Sequence, residues 1–84
     1  MVHRLRRIAV PPLDPALAIV LRRLRIDRGL SQEFVAHKAG IAYSTLAKVE
    51  LGRSSPAWGT VRAIADALNV TMSELGAAID AEAR

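Results

Sequence analysis

The stretch that decides the fold runs from Leu30 to Leu51 and reads LSQEFVAHKAGIAYSTLAKVEL. Ser31 stands where a side-chain oxygen caps a helix start, and Leu30 before it pairs with Val35 as an apolar staple. The helix that follows spans roughly residues 32 to 38, and Gly40 stops it in a backbone conformation that a residue with a Cβ resists. Only Ile41 and Ala42 then separate Gly40 from a second helical pattern, carried by Leu46 and Val49, with Ile41 stapling back to Leu46. This second helix spans about 43 to 51, and Gly52 closes it. Two helices joined so tightly must cross steeply. Ala36 is small where they approach, and Val35, Ala39, Ile41, Leu46 and Val49 are apolar where they bury a shared face. Together these offsets describe a helix-turn-helix.

The flanks continue the same architecture. Asp14 followed by Pro15 is a helix start, and Leu17, Val20, Leu21 and Leu24 mark one buried face of a helix from about 15 to 28, ended by Gly29. Arg22, Arg23 and Arg25 fall off that stripe. Beyond Gly52, the run Arg53-Ser54-Ser55-Pro56 is a polar loop. Trp58, Val61, Ile64, Ala65 and Leu68 then form a fourth helical stripe, taken as core including Trp58, with Asn69 as its left-handed end. Thr71-Met72-Ser73-Glu74 is a capping box stapled by Val70 and Leu75, so a fifth helix begins at 72 and frays before Arg84. The expected fold is therefore all-α, a five-helix bundle over residues 13–84. A short N-terminal arm, residues 1–12, is bounded by Pro11 and Pro12. The alternation Val2, Arg4, Arg6, Ile8, Val10 gives the arm a weak strand pattern.

Composition and charge narrow the function. Eighty-four residues make one domain, and 51% apolar content with three aromatics makes its core aliphatic. The absence of cysteine removes disulfides, thiolate metal sites and cysteine nucleophiles, and fits a reducing compartment. The longest run without a charged residue, Ala39 to Ala47, is far short of the roughly 20 apolar residues of a membrane span. Residues 1–53 carry ten Lys or Arg against four acids, a net +6, whereas residues 54–84 carry a net −2. A polyanion is expected to meet the first two-thirds. The acidic last third, with Leu75, Ala78 and Ile79 as apolar positions, is expected to pair with another copy of the chain.

With these helices in place, the chain resembles the lambda-repressor and Cro-like helix-turn-helix proteins, the xenobiotic-response-element family. The resemblance runs from about Ala16 to Ile79. It rests on Leu21-Arg22-Arg23-Leu24-Arg25, Gly29-Leu30-Ser31-Gln32-Glu33, Ala39-Gly40-Ile41, Leu46-Ala47-Lys48-Val49-Glu50-Leu51-Gly52-Arg53, Pro56, and Ile64-Ala65-Asp66-Ala67-Leu68-Asn69-Val70. It implies a five-helix lambda-repressor-like bundle whose third helix enters the major groove of double-stranded DNA. It also implies a transcriptional regulator, a repressor, acting as a homodimer in the cytoplasm of a bacterial or phage setting. The second reading is a protein-interaction module, such as the antitoxin of a toxin–antitoxin pair or a transcriptional adaptor with a protein partner.

Leu46, Val49 and Glu50 share the inner side of the third helix. Ser44, Ala47 and Lys48 therefore turn outward, with Tyr43 and Thr45 on the flanks, and these five are the expected base-contacting residues. The groove, about 12 Å wide, admits one helix; Lys48 suits guanine O6 or N7, Ser44 and Thr45 serve several bases, and the Tyr43 ring suits a thymine methyl. Phosphate contacts are expected from Ser31, Gln32, Arg53, Ser54 and Arg22. Family members place a glutamine like Gln32 on phosphate or against a base-contacting residue, and the resemblance pairs Glu50 with a helix-one arginine, Arg25. Two residues depart from the family pattern. Ala42 stands where a Ser or Thr usually caps the recognition helix, and Leu51 replaces a commonly polar residue and is expected to pack on the following loop. The arm's Arg4, Arg6 and Arg7 suit either pairing or an adjacent minor groove.

No enzymatic role is expected. His3 and His37 lie far apart without a metal-ligand spacing, Ser31 and Ser44 lack a His and acid in a recognisable pattern, and no glycine-rich phosphate loop follows a strand. Neither a metal nor a cofactor is called for.

Overall fold

A computed structural model describes residues 14–84; the expected arm, with its boundary prolines and Arg4, Arg6 and Arg7, lies outside the described residues. Five helices follow in order: α1 Pro15–Asp27, α2 Gln32–Ala39, α3 Tyr43–Glu50, α4 Trp58–Ala67 and α5 Met72–Ala83. Each falls within about a turn of its expected bounds, because the local signals that set those bounds form as anticipated. The Asp14 carboxylate accepts from the Ala16 N–H at 3.0 Å, and the Ser31 hydroxyl accepts from the Phe34 N–H at 3.0 Å. Asn69 adopts φ 61°, ending α4 in the left-handed region.

Thr71 and Glu74 form the full capping box: Glu74 N–H donates to the Thr71 hydroxyl at 3.0 Å, and Thr71 N–H donates to Glu74 Oε1 at 2.7 Å. The Thr71 backbone donor holds the Glu74 carboxyl below its ordinary value, and the Thr71 side chain adds to the effect. A depressed folded pKa means the box stabilises α5 at neutral pH and loses that contribution as acid brings the carboxyl through its folded pKa.

The core lies where the inner stripes meet. Leu21 from α1, Val35 from α2, Leu46 from α3 and Ile64 from α4 are fully buried, and Leu75 from α5 closes the cluster at 1% exposure. Each such side chain contributes about 1.5 to 3 kcal/mol of transfer free energy. α1 packs on α5 and α3, while α2 packs on α3 and α4, so α3 is held from behind by α1 and α2. Among the described residues, no helix is long and apolar enough to cross a membrane.

Three expectations about packing are corrected. Trp58 is not core: it is 65% exposed at the first position of α4, while Val61, Ile64, Ala65 and Leu68 of the same stripe are buried. The helix starts before the core does, so its first residue overhangs the edge. Leu75 is not free for another copy, because α5 turns it into the molecule's own interior against α1, whereas Ala78 and Ile79 stay half-buried where they pack on that core. Leu51 does not pack on the following loop; it caps α3 and stays 65% exposed.

Candidate nucleic-acid interface

The turn between α2 and α3 is built by two backbone hydrogen bonds. Gly40 N–H donates to His37 O at 3.1 Å and Ile41 N–H to Ala36 O at 3.0 Å, and both require Gly40 at its observed φ of 74°. The chain then enters α3 through Ala42, whose extended backbone is right for a cap but whose methyl offers no acceptor. Val49, Leu46 and Glu50 face inward at 7% exposure or less, which turns the opposite side of α3 to solvent. Tyr43, Ser44, Thr45 and Lys48 are exposed there. Ala47 is half-buried, so its methyl forms part of the floor and does not project with the others.

Around that floor the structure gathers part of the expected set. Arg22 of α1, Gln32 of α2, and Tyr43, Ala47 and Leu51 at the α3 side line one open concavity of about 510 Å³. Arg53 and Ser54 follow α3 in the loop set by Gly52, which lies at φ 71°; Arg53 is exposed and Ser54 half-buried. The Arg53 N–H donates back to Lys48 O at 2.9 Å, tying that loop to the last turn of α3. Ser31 caps α2 as an acceptor and keeps its own O–H to donate.

Behind the concavity lies a buried polar network. Arg25 Nε donates to Glu50 Oε2 at 2.8 Å and Arg25 Nη2 to Glu50 Oε1 at 3.0 Å, a two-point pairing of planar groups. Arg25 Nη1 donates to Leu30 O at 2.8 Å, and Gln32 Nε2 donates to Glu50 Oε1 at 3.0 Å. Hydrogen bonding to Glu50 raises the Arg25 pKa further above its ordinary value, against the opposing effect of burial, so the guanidinium stays charged throughout the working range. One carboxylate thus joins α1, the start of α2 and the last turn of α3. The Arg25–Glu50 pairing matches the family expectation; Gln32 bonds that same inward carboxylate, which is not one of the expected base-contacting residues, and keeps its second Nε2 hydrogen for another acceptor.

What the sequence reasoning missed is Leu51. Gly52 reverses the chain immediately after it, so its side chain cannot follow the helix into the core, and it edges the same concavity as Tyr43 and Ala47. Among the described residues, no group of His, Asp and Glu is arranged to hold a metal ion.

The uncapped start of α3 gives a direct expectation. Ala42→Ser supplies the missing acceptor and stabilises the domain by about 1 kcal/mol. Thermal denaturation should show a rise of roughly 4 to 8 °C. An unchanged midpoint would mean that the first turn is already satisfied by other groups.

A helix-turn-helix family model matches residues 21–75. Among solved structures, the restriction-modification controller protein C.AhdI from Aeromonas hydrophila is similar at 33% identity, covering 71% of this chain and 91% of its own, with a TM-score of 0.69. The clp gene regulator ClgR from Corynebacterium glutamicum is similar at 21% identity, covering 89% and 97%, with a TM-score of 0.79. The restriction-modification controller protein C.Esp1396I, seen as a tetramer with its natural 35 base-pair operator, is similar at 18% identity, covering 80% and 88%, with a TM-score of 0.77. The last two likenesses establish the fold alone. A comparison with curated proteins found no match.

Proposed function

The chain belongs to the helix-turn-helix family, and from that membership we propose that it is a sequence-specific double-stranded-DNA-binding transcription regulator that reads the major groove with α3. The observation that carries this reading is the outward side of α3: Tyr43, Ser44, Thr45 and Lys48 stand exposed on a helix whose other side is locked by Leu46, Val49 and the Glu50 network. A helix held along its inner side presents donors to base edges. Lys48 and Ser44 contact bases, with Tyr43 and Thr45 flanking them and the Ala47 methyl closing the floor. Ser31, Gln32, Arg53, Ser54 and Arg22 take phosphates and set the register. It acts as a homodimer, because one head reads only a few base pairs and paired heads read two half-sites about 34 to 36 Å apart.

Regulation is by repression: a domain seated in the groove across a promoter excludes polymerase by volume. Its place is the bacterial or phage-infected cytoplasm, on the nucleoid. Its role is binding, not catalysis. The alternative, a module that holds a protein partner such as a toxin, draws support from Ile19 and Ile26, which stand 45% and 51% exposed along the outer side of α1. An antitoxin does both jobs, so DNA binding does not remove this alternative, and purification with a stoichiometric partner favours it.

Selection of bound duplexes from a random pool, repeated with variants, tests the assignment. Lys48→Ala should lower affinity for the selected site by about 1 to 3 kcal/mol, and Ser44→Ala should change the preferred base at one position in each half-site. If both variants select and bind the parent's site unchanged, α3 is not the reader.

A further inference from the structure

Trp58, the only tryptophan in the chain, overhangs the start of α4 beside an open apolar groove of about 280 Å³. Asp14, Leu17, Val61, Met72, Leu75 and Ile79 are among the residues that line the groove. The Arg62 guanidinium lies over the indole, 5.9 Å from the ring centroid. Among the described residues, neither Asp14 nor Arg62 has an ion-pair partner, and Asp14 uses only Oδ1 in capping α1. An apolar surface flanked by one unpaired acid and one unpaired base is self-complementary under a two-fold axis, where residue i meets j and j meets i.

We infer that the Trp58 groove is the surface through which two copies of this chain pair, each indole seated against the partner's apolar groove and each Arg62 facing the partner's Asp14. The inference rests on the dimeric reading proposed above and shifts the expected pairing surface from the acidic end of α5 to Trp58, with Met72 and Ile79 of α5 still on the groove wall. A second exposed apolar surface, Ile19 and Ile26 on α1, borders Arg22, and Arg22 also lines the concavity beside α3. A copy seated there would compete with the phosphate backbone. The Trp58 groove shares no lining residue with that concavity, so pairing through it uses none of the residues that line the reading side. An aromatic anchor beside an arginine is also the composition that dominates the energetics of protein interfaces.

Sedimentation and tryptophan emission, followed together from nanomolar to tens of micromolar full-length chain, test the inference, because Trp58 is the sole emitter. The expected result is a blue shift that tracks dimer formation. Trp58→Ser should raise the dimer dissociation constant roughly 30-fold, the effect of losing one anchor, with helical content unchanged because the side chain lies outside the core. Arg62→Glu should weaken pairing in the same direction, and both variants should keep the parent's affinity for a half-site duplex. A Trp58→Ser chain that dimerises like the parent overturns the inference. So does a blue shift that is independent of concentration and lost in Val10→Asp, which would make the N-terminal segment the occupant. A parent chain that is monomeric throughout overturns both this surface and the dimeric reading, and leaves DNA reading by α3 standing.

Discussion

Glu50→Ala should cost about 3 to 5 kcal/mol and leave the domain largely unfolded at physiological temperature. The cost is not the worth of one ion pair. Removing the carboxylate strands the Arg25 guanidinium, whose side chain is only 12% exposed, and withdraws the acceptor used by Gln32. Only the bond from Arg25 to Leu30 O survives. Replacing both partners with apolar residues of similar size, Arg25→Met with Glu50→Met, should recover much of the loss, because no charge is then left buried. Urea denaturation of the parent and the two variants measures both effects. The double variant has a second use: it should fold yet bind DNA less tightly, since nothing then fixes Gln32 and the last turn of α3 to a common point. A Glu50→Ala chain within about 1 kcal/mol of the parent would show that water replaces the carboxylate at little cost, and that the network does not hold α3.

Affinity for a full operator should fall on the order of 10²-fold between 50 and 200 mM salt. Arg22 and Arg53 are the cations assigned to phosphate, and a symmetric pair doubles them. About four neutralised phosphates give a slope of roughly −3.6 in log affinity against log salt, since each contributes roughly −0.9. Arg53→Gln should make the slope shallower by about 2 in the dimer while leaving base preference unchanged, whereas Ser44→Ala should do the reverse. Titration of a fluorescent duplex at four or five salt concentrations measures it. A slope shallower than about −2 would place the duplex on some surface other than the basic one.

The division between these residues follows from how far apart in the chain the deciding partners stand. Ser31 with Phe34, Thr71 with Glu74 and the Gly40 turn close within one helical turn of themselves. The Leu46 and Val49 stripe needs only a helical period to declare which side of α3 is inward. Those features were legible residue by residue, and with them came the five helices and the expectation that Tyr43, Ser44, Thr45 and Lys48 stand outward. The pairing of Arg25 with Glu50 was legible only through family resemblance, because no local rule connects residues on different helices.

What folding alone decided lies at the ends of elements and between them. A stripe says that Trp58 shares a face with Val61 and Ile64; it does not say that the core stops short of the first residue of α4, and so Trp58 overhangs as a surface anchor. Nor does apolar character tell Leu75, which α1 covers, from Leu51, which Gly52 turns out to solvent. The amino-acid order determined the helices, their caps and the sign of the charge on the reading side, all of which depend on neighbours within a few bonds. The tertiary structure decided which arginine of α1 is buried against Glu50, that Gln32 braces the same carboxylate, and where an unpartnered apolar groove remains, because each depends on which helix packs beside which.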